Sequence, residues 1–97
     1  MFKVVKRDGE VASFNIGKIT NAIEKAFKAT DKQFNTDIIE LLGLRVTADF
    51  QNKIKDSLID VESIQDSVET VLEQSGYSDV AKAYILYRKH REKIRNM

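Results

Sequence analysis

The chain has 97 residues, a net charge of +1 and no cysteine, which leaves room for one domain and one hydrophobic core that buries roughly 60 to 65% of the unfolded surface. Without cysteine there are no disulfides, thiolate metal sites or thiol radical chemistry. The apolar runs are only a few residues long and no basic-then-apolar leader opens the chain, so a cytoplasmic, non-membrane protein is expected.

Asp8-Gly9 separates Phe2-Lys3-Val4-Val5 from Val11-Ala12-Ser13-Phe14. These are two β-prone runs joined by a pair that supplies the positive φ of a tight turn, so a β-hairpin opens the chain. Asn15 is placed to cap a helix over about Ile16 to Ala29, whose Ile19, Ile23, Ala26 and Phe27 share one face. Lys32 to Asn35 reads as a loop, and Asn35 or Thr36 caps a second helix with an apolar stripe of Ile38, Leu41, Leu42, Val46 and Phe50. Gly43 inside that stripe weakens it. After Leu58-Ile59, Asp60 caps a third helix carrying Ile64, Val68, Val71 and Leu72, and Gly76 ends it. A fourth helix starts near Ser78, with Val80, Ala83, Tyr84, Tyr87 and Arg91 at three- and four-residue intervals and with Ile85 and Leu86 expected in the core or at its flank. Its stripe begins apolar, passes through two tyrosines and ends basic. Tyr84 and Tyr87 read equally as core rings with hydroxyls at the edge or as ligand surface.

Charge is distributed unevenly. From Asp56 to Asp79 there are seven acids and no Lys or Arg, which argues against that segment as an anion site. The two ends are basic: Lys3, Lys6 and Arg7 stand against Asp8, and Arg88, Lys89, Arg91, Lys93 and Arg95 against Glu92. If the fold brings the ends together they form a compact positive site suited to polyphosphate; otherwise they are solvated faces. Catalytic constellations are missing. The glycines Gly9, Gly17, Gly43 and Gly76 match no phosphate-cradling spacing. His90 has no suggestive carboxylate partner but Glu92, and Asp60 is already explained as a cap rather than a metal ligand with Asp56.

Val4-Val5-Lys6-Arg7-Asp8-Gly9, followed by Phe14-Asn15, Lys18-Ile19 and Ala22-Ile23, together with Ala81-Lys82-Ala83-Tyr84-Ile85-Leu86-Tyr87-Arg88-Lys89-His90-Arg91, resembles the ATP-cone domain over essentially the whole chain. ATP-cones are N-terminal allosteric modules of ribonucleotide reductases, and also occur in a repressor of the reductase genes. The resemblance implies a mainly α fold, a four-helix bundle capped by the N-terminal hairpin, with nucleotide between them. It implies ATP or dATP as allosteric ligand, and Mg²⁺ is expected only as it arrives with the nucleotide. Carried over by position, Val4 meets the adenine, Lys6 and Arg7 the phosphates, and Asn15, Lys18 and Ile19 form the floor at the start of the first helix. Gln65 lies near where some members place a histidine, and Tyr84, Tyr87, Arg88, Lys89 and Arg91 supply further contacts from the closing helix. Ala12 and Ser13 depart from the larger or charged residues that members often carry there.

The implied protein is a sensor and not an enzyme. Lacking cysteine, the domain can neither reduce ribonucleotides nor be the repressor with its zinc ribbon, which leaves a domain of a reductase, the anaerobic type included, or a free-standing cone acting in trans. Its expected partners are adenine nucleotides and a reductase catalytic domain or subunit, with dATP and ATP favouring different oligomers and dATP shutting the enzyme down. The residues alone also admit a nucleic-acid-binding module using the basic hairpin and last helix, disfavoured by the near-neutral total charge, and a protein-interaction module indifferent to free nucleotide.

Overall fold

A computed structural model describes the backbone of residues 1–95 and the side chains of residues 1–91; Glu92, Lys93 and Arg95, counted above in the basic end, have side chains outside the described residues. In chain order the elements are β1 (Lys3–Val5), β2 (Val11–Ser13), α1 (Ile16–Ala29), α2 (Thr36–Asp49), β3 (Leu58–Asp60), α3 (Val61–Gln74) and α4 (Ser78–Arg95), with a short 3-10 turn at Gln51–Lys53. The expected architecture is present, four helices beneath an N-terminal hairpin. Among the described residues, no helix is long and apolar enough to cross a membrane.

Local chemistry sets most of the boundaries. Gly9 adopts a φ of +90°, Gly9 N donates to Lys6 O at 2.9 Å, and Asp8 Oδ1 accepts from Glu10 N at 3.0 Å, so the turn closes with Val4 opposite Ala12. The side chains of Asn15, Asn35 and Asp60 accept from Gly17 N, Ile38 N and Ser63 N and cap α1, α2 and α3. At the end of α3, Gly76 takes a φ of +87° while Tyr77 N donates to Leu72 O and Gly76 N to Glu73 O. That pair of bonds is a Schellman closure, which needs a left-handed residue at this position.

One strand is not foreseen in the sequence reading. β3 lies parallel to β1, pairing Lys3 with Leu58 and Val5 with Asp60, and makes the hairpin a three-stranded sheet of order β2-β1-β3. It is launched by a tight reversal in which Asp56 and Ser57 hold φ values of 54° and 63° and Lys55 and Leu58 exchange both backbone bonds at 2.9 Å. Asp and Ser here do the work more often given to Asn-Gly.

The core runs between the helices, with Ile23, Phe27, Val46, Phe50, Val68, Leu72 and Val80 almost fully buried. Phe50 anchors the sheet to it: Phe2 and Phe14 each stand edge-on to its ring at 5.6 Å, and 5.0 Å from each other. Two expected core positions are corrected. Leu41 is 50% exposed and Ile39 is buried in its place, because α2 carries apolar residues on several faces and the register against α1 decides among them. Leu86 is 68% exposed on the outer face of α4, while Val80, Ala81 and Tyr84 turn inward. Gly43 is buried where α2 crosses α1, and a Cβ there would lie 2.7 Å from Thr20 Cγ2; the residue that weakens the helix locally lets the two helices approach.

Candidate functional site

The two basic ends meet. A cavity of about 250 Å³ opens between the hairpin, the first turns of α1, one face of α3 and the middle of α4. Of the residues singled out in the sequence, Val4, Lys6, Arg7, Asn15, Lys18, Ile19, Gln65, Tyr84, Tyr87, Arg88 and Arg91 all line it. Lys89 does not; it is exposed on α4, one position round the helix from Arg88, while Arg88 and Arg91 are three apart and share the inner face. Beyond Val4, Ile19, Tyr84 and Tyr87, the rest of the apolar wall was not singled out for the site: Ala12, Phe14 and Ala22 from the hairpin side and α1, and Val61, Ile64 and Val68 from α3. Ile64 and Val68 were visible in the apolar stripe of α3, but a stripe alone does not say which of its members end beneath a cavity.

The wall has two characters. One part is aliphatic and aromatic, from Val4, Ile19, Ile64, Val68 and Tyr84. Tyr84 is buried, so its ring belongs to the core as well as the cavity floor, and burial pushes its phenol well above its ordinary value, leaving it neutral at any working pH. Tyr87 is half-buried, 6.4 Å from the Tyr84 ring with Lys25 Nζ 5.7 Å from its own centroid. The other part carries five cations, Lys6, Arg7, Lys18, Arg88 and Arg91. Lys18 lies one turn into α1, whose N-terminus adds positive potential.

Behind two of these cations stands an acidic row from the segment that carries seven acids and no Lys or Arg. Glu62, Asp66 and Glu69 follow one face of α3 at spacings of four and three. Arg88, 15% exposed, donates from Nη1 to Asp66 Oδ1 at 2.9 Å and to Glu69 Oε2, with Glu62 Oε2 3.9 Å from Nη2. Burial alone would lower the Arg88 guanidinium, but the hydrogen bonds and charge of Asp66 and Glu69 outweigh it and raise it above its ordinary value. Arg7 reaches Glu62 Oε1 from Nη1 at 2.6 Å and donates from Nη2 to Gln65 Oε1 at 3.2 Å. The acids set the arginines in place and partly neutralise them; Val61, Ile64, Gln65 and Val68 of the same helix line the cavity itself. Among the described residues, no group of three or more His, Cys, Asp or Glu is arranged to hold a metal ion, and His90 is exposed.

Comparison with known proteins gives a consistent result. The chain is 43% identical over 99 residues to the ribonucleoside-diphosphate reductase subunit alpha of Chlamydia pneumoniae, covering 95% of this chain and 9% of that protein. It is 45% identical over 98 residues to the vitamin B12-dependent ribonucleoside-diphosphate reductase of Thermoplasma acidophilum, covering 96% and 12%. It is 39% identical over 97 residues to the anaerobic ribonucleoside-triphosphate reductase of Haemophilus influenzae, covering 97% and 13%. The chain thus spans a small fraction of each relative, and corresponds to a regulatory region without their catalytic portion. The family model of the ATP cone domain matches residues 2–93, and the chain belongs to that family.

Proposed function

We propose that this domain binds ATP and dATP in the cavity beneath the hairpin, and that its occupancy controls the activity or oligomeric state of a cytoplasmic ribonucleotide reductase to which it is attached or on which it acts. ATP-cone domains bind adenine nucleotides in general; the observation that carries the reading to this chain is the two-part cavity, apolar at one end and lined by five cations at the other. At about 250 Å³ it lies just below the range of roughly 300 to 1,000 Å³ usual for small-molecule pockets. That size suits the base and ribose, with the phosphates emerging at the cationic mouth. Val4 and Ile19 would flank the adenine, Gln65 would offer its amide, and Lys6, Arg7, Lys18 and Arg91 would meet the phosphates. Mg²⁺ would come with the phosphates.

Placement of the cations also favours nucleotide over nucleic acid. They converge into a concavity, whereas a nucleic-acid module spreads its charge along an open face to follow a backbone. The test is isothermal titration with ATP, dATP and GTP in Mg²⁺ buffer, with size-exclusion under each ligand. Saturable binding of ATP and dATP without GTP supports the sensor reading; a folded domain that ignores all three overturns it.

A further inference from the structure

The guanidinium of Arg7 is where ligand phosphates and an acid of the protein contend. Arg7 reaches α3 with both ends of its fork, Nη1 to Glu62 at 2.6 Å and Nη2 to Gln65 at 3.2 Å. A phosphate held in bidentate fashion draws on the same guanidinium fork, and its charge would lie within a few ångströms of the Glu62 carboxylate. Gln65 can adapt, because turning its amide presents a donor to the phosphate in place of an acceptor. Glu62 cannot, since a carboxylate at neutral pH only accepts.

We propose that Glu62 is an internal competitor of the ligand's phosphates at Arg7, and so a residue that sets how strongly the site favours polyphosphates over uncharged nucleosides. This rests on the nucleotide reading above. The exchange centres on Arg7, whose contact with Glu62 at 2.6 Å is the short one, against 3.9 Å from Arg88. Glu62 is 52% exposed on the first turn of α3, so once displaced its carboxylate can return to water at little cost. Arg88 is held by two further carboxylates, Asp66 and Glu69, and is the more buried of the two arginines. It keeps Asp66 and Glu69 when Glu62, 3.9 Å from its Nη2, moves away, and serves as a fixed positive wall.

A Glu62 that instead oriented Arg7 for the phosphates would have the opposite sign of effect. ATP and adenosine are titrated calorimetrically into the wild-type chain and into Glu62→Gln, which keeps size and removes charge. A half-exposed ion pair of this kind predicts ATP binding about two- to fivefold tighter in the variant, with adenosine unchanged. Glu62→Ala must move ATP in the same direction, which guards against an effect of the new amide. ATP binding that is unchanged or weaker in both variants overturns the inference alone. If neither wild type nor variant binds ATP, the nucleotide reading falls and takes this inference with it.

Discussion

Two seams of the bundle are closed by different physics. Where α1 crosses α2, contact is apolar and close: Gly43 faces Thr20 and Ile16 with no room for a Cβ, and Val46 and Phe50 are sealed from water. Where α3 meets α4, a shared apolar interior of Val68, Leu72 and Val80 is topped by the ion network of Arg88 with Asp66 and Glu69. The first seam is fixed by steric fit. The second carries its charges at a partly exposed edge, where the net worth of an ion pair is small. The cavity lies beside the second, lined by Val61, Ile64, Gln65 and Val68 of α3 and Tyr84, Tyr87, Arg88 and Arg91 of α4.

The largest expected effect tests the packed side. Phe50→Ala removes the ring shared by Phe2 and Phe14 and should cost about 3 to 5 kcal/mol, a large part of the stability of so small a domain, read from urea unfolding midpoints. A loss below about 1 kcal/mol would mean that the sheet is not anchored through this ring. Next comes the ionic side. Lys18→Ala should weaken ATP binding about ten- to hundredfold, as expected for a lost charge-assisted contact, with little change in melting temperature because Ile19, Ile23 and Phe27 still hold α1. Unchanged affinity would remove Lys18 from the phosphate site.

Gly43→Ala sharpens the contrast from the other direction. Alanine is the better helix former by about 1 kcal/mol, but its Cβ would stand 2.7 Å from Thr20 Cγ2, and overpacking typically costs about 1 to 3 kcal/mol. The single variant should be less stable, and Thr20→Ser, which deletes the methyl and keeps the hydroxyl bonded to Gly17 O, should reverse the sign of Gly43→Ala. The smallest effect is at the start of α4. The side-chain hydrogen bond from Lys32 holds the Asp79 carboxyl below its ordinary value, and the backbone N–H of Val80 also favours the charged form. A depressed folded value contributes stability that is present above the unfolded value and lost as pH falls through the folded one. Asp79→Asn should therefore flatten the acid limb of a thermal-melt series slightly and leave the neutral region almost unchanged; an equal slope in both proteins would show the contact to be without weight.

Much of this organisation is legible in the chain. The bounds of α1 follow from Asn15 and the apolar spacing, and the ends of α3 from Asp60 and Gly76, because caps and left-handed positions are local chemistry. β3 is not legible: its three residues have no period to read, and it exists only through β1, more than fifty residues earlier. The face of α2 is ambiguous for a related reason, since Ile38, Ile39, Leu41, Leu42 and Leu44 surround the helix and only the crossing at Gly43 selects among them. Eleven of the twelve residues singled out for the site line one cavity, a grouping drawn from the resemblance as much as from charge. The acids behind Arg7 and Arg88 were visible as a run, but their helical spacing was the informative feature: residues 62, 66 and 69 form a stripe facing the basic helix.

The most direct test of the central claim is a two-dimensional amide NMR titration of the isotope-labelled chain with ATP. The account predicts saturable shifts concentrated at Val4 to Arg7, at Lys18 and Ile19, at Gln65 and along the Tyr87 to Arg91 face, with Leu41 and Leu44 on the outer side of α2 unmoved. Shifts centred on α2, or none at millimolar ATP in a folded domain, would contradict it.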